Sequence, residues 1–340
     1  MEEACTPTKR SPSPPVALPS TEPPGKRRCP LLFKSPPMNE DGQTTLHLLC
    51  QDPRTTVETV QEYLSKYPAA SQAVDVYGRT AIFYALKRSC APVIVDLVFQ
   101  AHTDGLTKRD FLGESGLFLL YHPTKNVQIL ASCLQKQPSL ALYKSNSFAA
   151  SSLLDTVCIP WMTLDQSLSL DDAAWTKLVL TVQAAHRALK GCCTITNQEL
   201  HMALELQLPA AIVYHFTRLY PEQARRPMVR CQELLPLQYV VSNPDYIGSK
   251  ECDALVRQLV HAYPDAAAAT LQPDASYPLH VGLSNNLGWL KGLEEIAFAY
   301  PDASQLADPV SGLLPFMQAA AVKDCDLNTV YCLLRERPLI

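Results

Sequence analysis

The chain has 340 residues, of which 47% are hydrophobic and 18% are charged, so it can bury an extensive core. A net charge of -4 gives no general electrostatic attraction for polyanions, and we expect no direct nucleic-acid binding. Lys, Arg or Pro interrupts every apolar stretch before it reaches the roughly 20 residues that cross a bilayer. We therefore expect no membrane partner.

Residues 1–39 are crowded with proline, serine and basic side chains. Proline removes amide donors, and too few apolar residues remain to offset the entropy lost on ordering. The composition predicts a disordered tail over 1–39 and a helical domain over 40–340.

Two basic clusters occur in this tail, Lys9-Arg10 and, after 15 intervening residues, Lys26-Arg27-Arg28. Exposed basic clusters at this spacing are typical of a two-part nuclear import signal, although solvated basic runs are also common in disordered tails. We expect a nuclear or cytoplasmic protein and favour the nucleus.

Four hydroxyl residues of the tail precede a proline and are minimal sites for proline-directed kinases: Thr6, Ser11, Ser13 and Ser35. A phosphate on Ser11 or Ser13 would cancel part of the positive charge of the neighbouring Lys9-Arg10 cluster.

The cysteines, 12 in all, are scattered through apolar stretches rather than spaced as a metal-binding framework. Cys192 and Cys193 are adjacent and lack the two-residue gap of a zinc knuckle. We interpret the thiols as small buried apolar groups in a reducing compartment, with no metal site.

Internal repetition is the strongest signal in the sequence. The dipeptide Tyr-Pro closes four amphipathic runs, at Tyr67-Pro68, Tyr220-Pro221, Tyr263-Pro264 and Tyr300-Pro301. Proline cannot donate the next helical hydrogen bond, so each run predicts a helix that ends there. Apolar core positions recur in step with these prolines, at intervals of 35 to 47 residues, and fall at Leu46, Ile82, Leu117, Leu153, Leu200, Leu237, Leu279 and Phe316.

The repeats predict about eight helix pairs, and their motifs resemble the ankyrin repeat. The ankyrin consensus begins its first helix with Thr-Pro-Leu-His, and the best matches are Thr45-Leu46-His47 and Pro278-Leu279-His280, with Leu200-His201 sharing the last two residues. The intervals exceed the usual ankyrin length, which indicates a divergent, long-repeat branch. The resemblance implies an all-α fold, a solenoid of stacked helix pairs. It also implies that His47, His201 and His280 are structural and tie neighbouring units by hydrogen bonds.

Connections such as Asp75 to Arg79 contain a turn glycine and should project from one edge of the stack. We therefore predict that Asp75, Tyr77 and Arg79 contact a partner.

The longest interval indicates an insertion near 159–193 within one repeat. It contains Trp161 and Met162, which could anchor a partner if they are exposed. The alternative is that this loop folds back onto the core, which burial tendencies favour.

The sequence contains no glycine-rich phosphate loop, metal-binding helix signature or nucleophile elbow. We expect no enzymatic activity, no cofactor and no small-molecule substrate. The pattern predicts a monomeric protein-protein interaction scaffold. Two alternatives remain open, namely a substrate-recruiting adaptor of a ubiquitin ligase and an enzyme with an unrecognised helical active site.

Overall fold

A computed structural model describes most of the domain and a few residues of the tail. The described ranges are 36–120, 126–144, 152–162, 164, 172–191, 198–272, 274–322 and 326–335. They are mostly helical with almost no strand, which confirms the all-α prediction. In this part of the chain, no helix combines the length and apolar character that crossing a membrane requires.

Seventeen α-helices follow one another in the described residues. In chain order they are α1 (Thr45–Leu49), α2 (Val57–Lys66), α3 (Ala81–Lys87), α4 (Pro92–Ala101), α5 (Gly116–Leu119), α6 (Val127–Lys136), α7 (Leu153–Cys158), α8 (Asp172–Lys190), α9 (Glu199–Glu205), α10 (Ala210–Leu219), α11 (Pro236–Ser242), α12 (Pro244–Ile247), α13 (Cys252–Ala262), α14 (Pro278–Ser284), α15 (Leu293–Ala299), α16 (Pro315–Ala321) and α17 (Leu327–Arg335). Short 3-10 helices follow most pairs, at Pro68–Ser71, Thr103–Leu106, Pro138–Leu142, Pro221–Arg225, Pro264–Ala267 and Pro301–Gln305, and two more lie at Ile159–Trp161 and Trp289–Lys291.

The Tyr-Pro dipeptides end helices as the sequence predicts. Tyr67, Tyr220, Tyr263 and Tyr300 are the C-terminal caps of α2, α10, α13 and α15. Each following proline begins a 3-10 helix, where its missing N–H removes no hydrogen bond.

Helices at corresponding positions of successive pairs pack against each other. The first helices α1, α3 and α5 are in contact in that order, as are α11, α14 and α16. The second helices α2, α4, α6 and α8 make one continuous row, and α10, α13 and α15 make another. The repeated leucines Leu46, Leu200 and Leu279 are completely buried in this core. Burying a leucine side chain contributes roughly 1.5–3 kcal/mol, so these positions contribute strongly to the stability of the core.

Hairpin loops closed by one antiparallel bridge precede most first helices. The loops used below are loop 38–44 (bridge Met38 to Thr44), loop 74–80 (Val74 to Thr80), loop 109–115 (Arg109 to Ser115) and loop 228–234 (Met228 to Leu234). The ordered chain therefore extends into the predicted tail, because Met38 pairs with Thr44 and the Asn39 N–H donates to Gln43 O (2.9 Å).

The predicted insertion near 159–193 contributes α8, which packs against α6, α7, α9 and the 3-10 helix Pro138–Leu142. Leu178, Val182 and Ala185 are completely buried on that side. In its described part, this segment is thus a long second helix in the row of its neighbours.

The described cysteines are free thiols, and five of these seven are buried. Burial raises the pKa of Cys133 and Cys158 to about 12 and that of Cys252 to about 11. These thiols are protonated at neutral pH and pack as apolar groups.

Candidate interaction surface

Three histidines occupy the third position of a first helix, and each bonds to a backbone carbonyl that follows its own helix pair in the chain. His47 Nε2 hydrogen bonds to Arg79 O (3.2 Å), and His280 Nε2 to Leu306 O (3.0 Å). His201 Nε2 bonds to Gln223 O (3.1 Å), on the turn after its own helix pair. Thr44 N–H donates to His47 Nδ1 (3.1 Å), so the Nε2 of His47 carries the proton and donates. Neutral imidazole is therefore the form that this arrangement requires.

The corresponding position of α11 is Gln238, whose amide makes the same pair of bonds. Its Oε1 accepts from Leu235 N (2.8 Å), and its Nε2 donates to Ala269 O (3.0 Å). A glutamine can thus replace the histidine without losing the link to the next unit.

Replacing His47 by glutamine should therefore keep its two hydrogen bonds but remove a side chain that can gain a proton as the pH falls. Burial lowers the pKa of His47, His201 and His280 below the ordinary value of about 6.5. A lowered folded-state pKa means that stability is fully present above the unfolded pKa and is lost as the pH falls through the folded pKa.

We expect His47→Gln to lose less stability than the wild type when the pH falls from about 7.5 to about 5. Thermal melting of the wild type and His47→Gln across this pH range measures the difference in stability. His261→Gln is the control, because His261 is exposed. Equal pH dependence in wild type and His47→Gln would contradict the assignment.

Loops 74–80 and 109–115 are built from the same four-residue pattern, Asp-x-x-Gly. Asp75 Oδ1 accepts from Tyr77 N and Arg79 N, both at 2.9 Å, and Tyr84 Oη donates to Asp75 Oδ2 (2.6 Å). Gly78 has φ +81°, a conformation that side chains disfavour. The aspartate and the glycine together fix the path of the turn.

Asp110 repeats this role in loop 109–115, where its Oδ1 accepts from Leu112 N and Glu114 N, both at 2.9 Å. Gly113 has φ +82°. The loops are also linked, because Phe111 N–H donates to Tyr77 O (2.9 Å) and Arg79 Nε donates to Asp110 Oδ2 (3.0 Å). Two adjacent turns are therefore held in one fixed arrangement.

Four large apolar side chains project into solvent from these two turns. We call Val76, Tyr77, Phe111 and Leu112 the tip patch. Phe111 and Leu112 are 79% and 78% exposed, and Tyr77 is 52% exposed. The Arg79 guanidinium lies 5.3 Å from the centre of the Tyr77 ring, which braces that ring from one side.

Of the predicted contact residues, Tyr77 is exposed as expected, and Met162 is also exposed. Asp75 is corrected from contact residue to turn-forming residue, because its carboxylate is buried and bonded within the loop. Arg79 is largely shielded by its ion pair with Asp110, its side chain being 17% exposed.

Trp161 is not a surface anchor but a core residue, which is the alternative that burial tendencies favoured. It is 4% exposed, and its ring packs against Trp175 (5.3 Å between centres) and His215 (5.7 Å). Sequence reasoning missed Phe111 and Leu112. Their signal was the Asp-x-x-Gly spacing shared by the two turns.

The candidate import and phosphorylation residues of the tail lie outside the described residues: Lys9, Arg10, Lys26, Arg27, Arg28, Thr6, Ser11, Ser13 and Ser35.

One convergence of polar side chains lies between α8 and α9. His186 Nε2 is 2.7 Å from Glu205 Oε2, and His201 lines the same cavity. The cavity measures about 10 Å³, which is space for about one water molecule. Among the described residues, no three His, Cys, Asp or Glu side chains are grouped to hold a metal ion.

Comparison of the chain with protein-family models and with curated proteins gave no match.

Proposed function

We propose that this chain is a non-catalytic protein-binding scaffold, an ankyrin-like solenoid that contacts a protein partner through its tip patch. Two features support the solenoid arrangement: like helices of successive pairs pack on each other, and histidine or glutamine side chains link neighbouring units. A helix pair of this kind cannot cover its own apolar face, so stacking is its route to stability.

The observation that carries the proposed function is the tip patch. Exposed large apolar side chains are common singly, but here four of them project from two turns that are bonded to each other. Burying apolar surface contributes about 25 cal/mol per Å², and aromatic side chains dominate the energy of most interfaces.

The rigidity of the two turns also favours binding at the tip patch. The aspartate and glycine of each turn, together with the Phe111 N–H to Tyr77 O bond, fix the loop backbone before any partner arrives. Binding then loses less conformational entropy than it would on a mobile loop.

Site-specific photo-crosslinking tests the proposal in cells. A photoreactive amino acid at Leu112 should give discrete crosslinked proteins. The same amino acid at Val310 supplies the matched control, because Val310 is also an exposed apolar residue of a loop but lies far along the chain from the tip patch. Identical products from both positions, or none from Leu112, would overturn the proposal.

The purified partner then gives a quantitative prediction. We expect the double substitution Phe111→Ala and Leu112→Ala to weaken its binding by about 2 kcal/mol or more, roughly thirtyfold. Val310→Ala should leave the affinity within about twofold, since surface residues outside an interface contribute little. Isothermal titration calorimetry measures both, and unchanged thermal melting of each variant confirms that the fold is intact.

A further inference from the structure

A groove separate from the tip patch lies between loop 228–234 and α11. Its volume is about 510 Å³, within the range of about 300–1,000 Å³ that is usual for ligand sites. Gln207, two residues after the end of α9, and Asn243, directly after α11, also line it. The exposed side chains of Gln207, Arg230 and Gln232 show that the groove is open to solvent.

Loop 228–234 differs in construction from the loops of the tip patch. Met228 N–H donates to Leu234 O (2.8 Å), six residues on, whereas Asp75 N–H donates to Arg79 O (3.0 Å), four residues on. The closing hydrogen bond of loop 228–234 thus spans two more residues, and the loop contains no glycine.

Two consecutive residues of loop 228–234 have a backbone conformation that favours glycine. Gln232 has φ +55° and Glu233 has φ +58°. Left-handed backbone at two consecutive non-glycine residues costs roughly 1 kcal/mol or more for each and is found disproportionately at binding sites. The Gln232 side chain lines the groove, whereas that of Glu233 does not. A glycine at position 232 would relieve the strain but would remove a side chain from the groove.

The chemistry of the lining is that of neutral amides around an aromatic ring. Gln207 and Gln232 each offer a carbonyl oxygen and an N–H₂ group, and Tyr239 lies on the α11 wall. Asn243 offers its N–H₂ group, because its Oδ1 already accepts from Asp245 N (3.0 Å) at the start of α12. The Tyr239 hydroxyl is protonated at neutral pH and can donate, since the ordinary tyrosine pKa is about 10 and burial raises it further. Within the described residues, the Gln232 amide has no hydrogen-bond partner.

We propose that this groove binds an extended peptide segment of a partner protein. The amides of Gln207 and Gln232 pair with the main-chain N–H and C=O groups of the peptide, the N–H₂ group of Asn243 donates to a peptide C=O, and the Tyr239 ring packs against a peptide side chain. Alternating donors and acceptors are what an extended main chain presents, whereas a phosphate or carboxylate ligand calls for several cations. Arg230 is the cation of the lining, and one of its guanidinium nitrogens donates to Lys190 O (3.1 Å).

The proposal rests on the proposed role in protein binding and adds a second site to it. The full-length chain is used to select binders from a random dodecapeptide phage library. Affinities of the enriched peptides are then measured by fluorescence anisotropy. We expect Gln232→Gly and Tyr239→Ala to weaken binding about tenfold or more. Tyr239→Phe, which keeps the ring, should lose only a few-fold.

Glu233→Gly is the matched control for Gln232→Gly. Both variants relieve the same backbone strain, so both should melt at or above the wild-type temperature, but only Gln232→Gly removes a groove side chain. Lower peptide affinity in the more stable variant cannot arise from unfolding. Replacing a central peptide N–H by N-methyl should also weaken binding, because the proposed contacts are made to the main chain.

Three outcomes would overturn the proposal: no enriched peptide family, peptides that bind Tyr239→Ala as tightly as the wild type, or equal effects of Gln232→Gly and Glu233→Gly. The Phe111→Ala and Leu112→Ala double variant should bind the peptides normally. If it does not, the peptides occupy the tip patch, and the proposed function survives while the groove assignment fails.

Discussion

Leu279→Asp is expected to unfold the units around α14. Leu279 is completely buried, and α14 packs against α11 on one side and α15 and α16 on the other. An aspartate there would be charged, buried and without a partner, a change that costs more than about 4 kcal/mol. Since a domain is stabilised by only about 5–15 kcal/mol in total, we expect a large fall in the urea midpoint or loss of the cooperative transition.

Leu290→Asp is the matched control, because Leu290 is 74% exposed and lies in the 3-10 helix Trp289–Lys291 between α14 and α15. Its effect should stay within about 0.5 kcal/mol. Leu279→Ala, which adds no charge, should cost about 2–5 kcal/mol through the cavity that it leaves. Similar urea midpoints for Leu279→Asp and Leu290→Asp would mean that the repeat core is assigned to the wrong residues.

The helices could be predicted because their signals are local. A Tyr-Pro dipeptide ends a helix wherever it occurs, and repeated leucines such as Leu46 and Leu279 indicate a shared core position. These signals act within a few residues of the chain, so they remain visible without knowledge of the fold.

The surface could not be predicted in the same way, because exposure depends on distant residues. Residue type alone favoured burial of Trp161, but its packing against the ring of His215, far along the chain, could not be predicted. Conversely, phenylalanine is a residue type that is usually buried, yet the turn fixed by Asp110 points the Phe111 side chain into solvent. The equivalence of Gln238 with His47 was likewise hidden, since it depends on hydrogen bonds rather than on similarity of the side chains.

Gly292→Ala should be among the most damaging single-methyl changes in this chain. Gly292 caps the start of α15 with φ +109°, and a Cβ there would lie 2.7 Å from the Cβ of Val256, which is completely buried in α13. The backbone conformation costs an alanine roughly 1–2 kcal/mol, and the overlap adds about 1–3 kcal/mol because α13 and α15 are packed together.

The contributions of strain and overlap can be separated. Gly113→Ala shares the positive φ (+82°) but has no atom within 4 Å of the added Cβ, so it should show the strain alone. Val256→Ala removes the two methyl groups that would lie 2.9 and 3.2 Å from the added Cβ but keeps the Val256 Cβ at 2.7 Å, so it relieves part of the overlap. The double variant Gly292→Ala with Val256→Ala should therefore be more stable than the sum of the single variants implies. Urea unfolding of the wild type, Gly292→Ala, Val256→Ala and the double variant measures the coupling between positions 292 and 256. Urea unfolding of Gly113→Ala measures the strain alone. Strictly additive losses would show that the α13–α15 contact is loose enough to absorb a methyl group, which the close packing of Val256 against Gly292 does not permit.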